Sequence, residues 1–176
     1  RPHLQAWWDD PAMVGAGAFM ATGVHCIDIM RFVTGREVIE VIALNDASGS
    51  NPLEELLTLS VRFDDGSLGT TMTGRRTPDF EGNDVMVYGS EGRAGVHDSI
   101  DMAFRGSLDL ATETVTSKKI YKANPIELYR LQVDAFNDAV ERDSPPPASG
   151  VDGLRATQVT LAMVKSAKTG RRVRIS

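Results

Sequence analysis

The run Gly15-Ala16-Gly17-Ala18-Phe19-Met20-Ala21-Thr22-Gly23-Val24-His25-Cys26-Ile27-Asp28-Ile29-Met30-Arg31-Phe32-Val33-Thr34-Gly35 sets the architecture of this chain. Phe19, Gly23, Ile27 and Met30 recur at near-helical spacing and Gly35 is a stop signal, so the spacing predicts a well-buried helix over 18–33 behind a glycine-rich entrance. No strand precedes it. Arg1 to Val14 carries Trp7, Trp8, Asp9, Asp10 and Pro11 without periodicity and reads as a loop that lies across something.

After the helix the period shortens to that of strands. Val38 to Leu44 is β-rich, and Leu57, Leu59, Val61 and Phe63 alternate with Thr58, Ser60 and Arg62, the pattern of a half-buried strand. Asp64-Asp65-Gly66-Ser67 reads as a hairpin turn with Leu68 to Thr73 returning. A meander follows: Asp84 to Tyr88, a turn at Gly89 to Gly92, Ala94 to His97, then short strands at Asp101 to Phe104, Leu108 to Thr114 and Lys118 to Lys122. Pro125 to Glu141 returns to helical spacing with Leu128, Leu131, Ala135 and Ala139 on one stripe. After Ser144-Pro145-Pro146-Pro147, Asp152 to Thr169 places Leu154, Thr157, Leu161 and Val164 on one face and ends at Gly170; Val173 to Ile175 adds an edge strand. The expected class is α+β, an open, mainly antiparallel sheet with helices on one face. The other face needs a cover, and a second copy in a two-fold dimer supplies one.

At 176 residues the chain is one domain's length, and 41% hydrophobic with 24% charged residues is the composition of an ordinary globular protein, not of a disordered, collagenous or coiled-coil one. The charge-free stretch from Pro11 to Ile27 is too short and polar to span a bilayer, so no membrane segment is expected. Twenty-four acidic against nineteen scattered basic residues, net −5, leave no footprint for nucleic acid or an anionic membrane. A small or neutral ligand is the expected partner. The single Cys26 forms no internal disulfide and fits a reducing, cytoplasmic setting. A start at Arg1 rather than methionine reads as a piece of something longer.

Gly15-x-Gly17 before a helix, with Glu37 further on, imitates a dinucleotide-binding fingerprint, but Trp7 to Val14 is no buried strand and the third glycine position is Met20. It reads instead as a tight turn that packs a helix closely. The stronger candidate for chemistry is His25, three residues before Asp28, where side chains are neighbours on a helix. A carboxylate there orients an imidazole for general acid or base work, and equally satisfies a core histidine. Arg75 and Arg76 end a strand beside Thr77-Pro78, where two cations suit a ligand carboxylate or hydroxyls, or simply a solvated surface. Trp8 with Trp7 reads as a site wall or a loop anchor. His97 is expected to face solvent, His3 lies in the loose amino-terminal segment, and Cys26 reads as core.

The segment Gly15 to Asp28 resembles the G-G-G-x-x-x-D-x-G-x-H-x-x-D stretch of the Gfo/Idh/MocA oxidoreductases. Phe63-Asp64-Asp65-Gly66-Ser67-Leu68-Gly69 is similar to that family's F-x-D/N-G-x-x-G hairpin, and Val87-Tyr88-Gly89-Ser90-Glu91-Gly92 to its V-x-G-S-E/K-G turn. Pro145 to Ala156 and Ser166 to Val173 resemble its usual ending. The resemblance implies that residues 1–176 form one carboxy-terminal substrate-binding and oligomerisation domain, with NAD or NADP bound mainly by a Rossmann domain absent from this chain. It implies that His25 takes part in proton transfer at the hydroxyl or carbonyl of a sugar, polyol or hydroxylated ring acid, with Asp28 fixing its tautomer, and that the protein is a homodimer or tetramer. Many sugar- and polyol-oxidising members carry an aspartate where this chain has Ala21. That departure argues against an inositol dehydrogenase. It also keeps a second reading open, a non-catalytic binding or dimerisation module with a decayed site; a free-standing lectin-like domain rests on Trp7 and Trp8 alone.

Overall fold

Three strands from the first half of the chain, the helix that precedes them and a helix and short strand from its end build one sheet-and-helix body. The computed structural model describes residues 6–75, 83–98, 105–122 and 124–175. They divide into two compact units, Arg1–Pro78 with Ala148–Ser176 and Asp79–Pro147.

In the first unit, β1 (Val38–Asn45), β2 (Leu56–Phe63), β3 (Leu68–Gly74) and β8 (Val173–Arg174) form an antiparallel sheet in the order β3-β2-β1-β8. Val41 stands opposite Val61 and Ala43 opposite Leu59, with one irregularity between Val38 and Glu40. Period two drives every other residue inward, so Leu57, Leu59, Val61 and Phe63 are buried while Leu56, Thr58, Ser60 and Arg62 are exposed. The buried row meets Phe19, Ile27, Val159 and Met163, the core of the unit. Each such side chain contributes about 1.5–3 kcal/mol by leaving water.

The helices on that face are α2 (Val24–Thr34) and α4 (Gly150–Thr169), while α1 (Pro11–Val14) buries no residue and lies against the Ala6–Asp9 turn. Ser149 opens α4 with a reciprocal capping box to Asp152, and Gly170 ends it at φ 63°, a left-handed conformation that glycine adopts without a Cβ penalty. The expected inward face of α4 is corrected: Leu154 and Leu161 are exposed, and Ala156, Val159, Thr160, Ala162, Met163 and Ser166 are buried. Small side chains let the helix approach the sheet closely. Ser166 uses that proximity, its hydroxyl accepting from the Ala43 N–H at 3.0 Å and donating to the Arg171 carbonyl at 2.7 Å.

In the second unit, β4 (Val85–Gly89), β5 (Gly92–His97), β6 (Arg105–Thr112) and β7 (Thr116–Lys122) form a second antiparallel sheet in sequence order. The α+β class and the antiparallel pairing are as expected, and the strands are shared between two sheets of four. The expected strand at Asp101 to Phe104 lies outside the described residues. α3 (Pro125–Glu141), capped by the Asn124 side chain, belongs to this unit; no residue of it is buried, and of its expected stripe only Ala135 and Ala139 are half-buried.

Candidate functional site

The entrance to α2 is built by contact with a loop from the strand side. Gly17 lies so close to Glu54 that a Cβ on it would stand 2.1 Å from the Glu54 carbonyl oxygen. That carbonyl accepts the Ala18 N–H at 2.9 Å, and the buried Glu54 carboxylate accepts the Phe19 N–H, also at 2.9 Å. Phe19–Gly23 then forms a π-helical turn, in which the Val24 N–H reaches the Phe19 carbonyl five residues back and the Thr22 hydroxyl bonds the Ala18 carbonyl. π turns are rare and frequently lie at functional sites.

His25 follows directly, in the first turn of α2, and is exposed. Asp28 lies one turn on and is exposed; no hydrogen bond joins it to His25 among the described residues. Ala21 is half-buried in the π turn and brings no polar group to His25. At the other end of α2, Arg31 grips Glu37 through two nitrogens, at 2.7 and 3.0 Å, and Asp152 at 3.3 Å. Its hydrogen bonds hold the Glu37 carboxyl below its ordinary value, against the opposing effect of burial. Asp152 is lowered too, first by the Ser149 backbone N–H and hydroxyl and then by Arg31.

Arg75 is buried, and its guanidinium donates to the Trp8 carbonyl at 2.9 Å and pairs with Asp9 and Glu55, each at 3.4 Å. The cation read as a ligand clamp therefore ties the tryptophan turn, Ala6–Asp9, to the end of β3. Trp7 and Trp8 stack with ring centroids 4.6 Å apart. Arg76 and His3 lie outside the described residues. Cys26 is free and half-buried. His97, expected in solvent, is half-buried and bonded through Nδ1 to Asp84 at 2.8 Å.

Glu54 escaped the sequence reading. It also tests whether this chain cradles a nucleotide. A helix N-terminus holds phosphate through free N–H groups, but those of Ala18 and Phe19 are taken by Glu54, whose own carboxylate stands where the anion would sit. The residues at Gly15–Gly17 do not fit a dinucleotide. Among the described residues no group of three or more His, Cys, Asp or Glu is placed to hold a metal ion. Pro11–Thr34 is long and apolar enough by composition to cross a membrane, yet it is broken at Gly15 (φ 77°) and buries Phe19 and Ile27 in the core.

Comparison with known proteins places these features. A family model described as the GFO/IDH/MocA C-terminal domain matches residues 1–95. A 1,5-anhydro-D-fructose reductase of Ensifer adhaerens is 28% identical over 176 residues, covering 99% of this chain and 52% of that protein. The crystal structure of aldose-aldose oxidoreductase from Caulobacter crescentus complexed with glycerol matches with a TM-score of 0.83 at 20% identity, over 97% of this chain and 51% of that one. Levoglucosan dehydrogenase in complex with NADH and L-sorbose matches with a TM-score of 0.80 at 17% identity, over 98% and 53%. This chain spans about half the length of each of these proteins.

Proposed function

The chain belongs to the GFO/IDH/MocA family, and from that premise we propose that it is the carboxy-terminal, substrate-side domain of an NAD(P)-dependent oxidoreductase acting on a sugar, polyol or related hydroxylated compound. The placement of His25 carries the reading: an exposed imidazole in the first turn of a helix whose start is locked by Gly17, Glu54 and a π turn. The named reductase, aldose oxidoreductase and levoglucosan dehydrogenase among its relatives support the substrate class. The nicotinamide supplies the hydride chemistry and is held outside these residues, in keeping with the occupied N–H groups at Gly17. This chain's own part is at the substrate hydroxyl or carbonyl oxygen. His25 moves the proton there, and Asp28, which makes no hydrogen bond to it in this structure, is the carboxylate one turn on that would orient its ring once substrate is bound. Arg75 acts indirectly, by fixing the Trp8 turn.

The outer face of the first sheet, with Ile42, Leu44, Leu68 and Met72 exposed among Thr58, Ser60 and Thr70, supports assembly as a homodimer or tetramer, and the lone free Cys26 is in keeping with a cytoplasmic setting. Ala21 favours one rival, a binding module that has lost its chemistry. The test is the protein joined to its dinucleotide-binding half. With His25→Ala, kcat falls about 10²–10⁴-fold and the acid limb of the pH–rate profile changes, while the melting temperature holds because His25 is exposed. Unchanged kcat/KM refutes the role of His25. No turnover and no thermal stabilisation by NAD or NADP in the unaltered protein selects the binding module.

A further inference from the structure

The second sheet carries a site of its own. On one face of it an open cavity of about 430 Å³ is lined by Met86, Arg93, Gly95, His97, Asp109 and Lys118 among others, a volume within the range of small-molecule sites. The strand register explains the depression. Met86, Gly95, Asp109 and Lys118 stand in one cross-strand row, and Arg93, Ala111 and Thr116 in the next. Long polar side chains thus surround two small residues. Gly95 leaves room for its neighbours, since a Cβ on it would come within 2.7 Å of the Met86 sulfur and 3.0 Å of His97 Nε2 and push those side-chain ends aside.

Two carboxylates, Asp84 and Asp109, stand here with two cations, Arg93 and Lys118, but the pairing among them is uneven. Asp109 is shared between Lys118 at 3.8 Å and His97 Nε2 at 3.5 Å, and Asp84 holds the other nitrogen of His97 at 2.8 Å. Arg93 lines the same cavity and forms no hydrogen bond or ion pair with another described residue. A guanidinium fork left over beside an ammonium is a receptor for a planar or tetrahedral oxyanion. The nearby Thr116 hydroxyl and Asp109 carboxylate suit hydroxyl groups on the molecule that carries it. We propose that this cavity binds a small hydroxylated oxyanion, a carboxylate or phosphate ester, with Arg93 as the primary contact and Lys118 beside it.

The test is amide chemical-shift titration of the 176-residue chain at constant ionic strength with inorganic phosphate, with D-gluconate and with neutral D-glucose. Saturable shifts confined to the amides of Arg93, Gly95, Asp109, Ala111 and Lys118, with either anion in the millimolar range or below, are expected, and the anion that binds tighter identifies the source. Arg93→Gln should weaken binding at least about tenfold, with Lys118→Gln as a second variant should the first misfold. Lys119→Gln, whose ammonium lies over the Tyr121 ring at 4.9 Å, should leave it unchanged. Absence of saturable shifts with both anions, an equal response to D-glucose, or undiminished affinity in Arg93→Gln and Lys118→Gln overturns the proposal.

Discussion

Gly17→Ala puts a methyl carbon 2.1 Å from the Glu54 carbonyl oxygen, 2.9 Å from its nitrogen and 3.0 Å from its carbonyl carbon. All three atoms are backbone, so no rotamer change relieves the contact and one segment must retreat by about an ångström. Overpacking of this kind costs about 1–3 kcal/mol. The retreat also stretches the Ala18 and Phe19 N–H bonds to Glu54, both buried, at about 1 kcal/mol each or more. The expected loss is about 3–5 kcal/mol, a large part of the ~5–15 kcal/mol that holds a domain together. Both tryptophans of the chain, Trp7 and Trp8, lie in the first unit, so urea unfolding followed by tryptophan fluorescence reads that unit alone. The midpoint should fall by about 1–3 M. Gly15→Ala is the internal comparison: its φ of 77° is strained for alanine but nothing lies within 4 Å of the new methyl, so only about 1–2 kcal/mol is lost. Truncating Glu54 to alanine in the Gly17→Ala protein should bring no rescue, because the clash is with backbone. A Gly17→Ala midpoint equal to or above that of Gly15→Ala would sink this account of the glycine-rich entrance.

Ser166→Ala leaves the Ala43 N–H and the Arg171 carbonyl without the buried hydroxyl between them and should cost about 2–3 kcal/mol in the same urea assay; a loss below about 0.5 kcal/mol contradicts the bridge. Glu37 has a folded-state pKa below its ordinary value of 4.5, so its stabilising effect is complete above that value and disappears as pH falls through the lowered one. The urea midpoint should therefore decline from about pH 5 downward, and less steeply in Glu37→Gln; parallel profiles count against the Arg31–Glu37 pairing. Arg75→Met releases the Trp8 carbonyl and Asp9, and tryptophan emission should move to the red with unit 1 still folded. An unmoved spectrum would show that the turn is held by other contacts.

The hairpin of β2 and β3 was readable because strict alternation from Leu57 to Phe63 and a glycine turn at Gly66 act locally. Helix ends were readable for the same reason, at Gly35 and Gly170. The inward face of α4 was not. Hydrophobicity points to Leu154 and Leu161, whereas close packing selected alanine, threonine and serine. The division of strands was hidden because periodicity pairs neighbours only, and β8 meets β1 from the far end of the chain. At the site, His25 stood out through its motif. Glu54 had no pattern to announce it, since its importance lies in a tertiary contact with Gly17. The His97–Asp84 bond did leave a trace: counting outward from the Gly89–Gly92 turn pairs Val85 with Val96, which sets Asp84 opposite His97.

The five-residue turn at Phe19–Gly23 also has a meaning for how such proteins diverge. An α-helix advances about 100° per residue, so removing one residue here and restoring regular winding would turn α2 relative to Phe19 by roughly that angle, carrying His25 and the buried Ile27 together. A single-codon deletion thus re-aims the imidazole only by pulling Ile27 out of the core as well. The extra residue in this turn therefore couples the aim of His25 to the burial of Ile27, so the site and the core behind it can change only together.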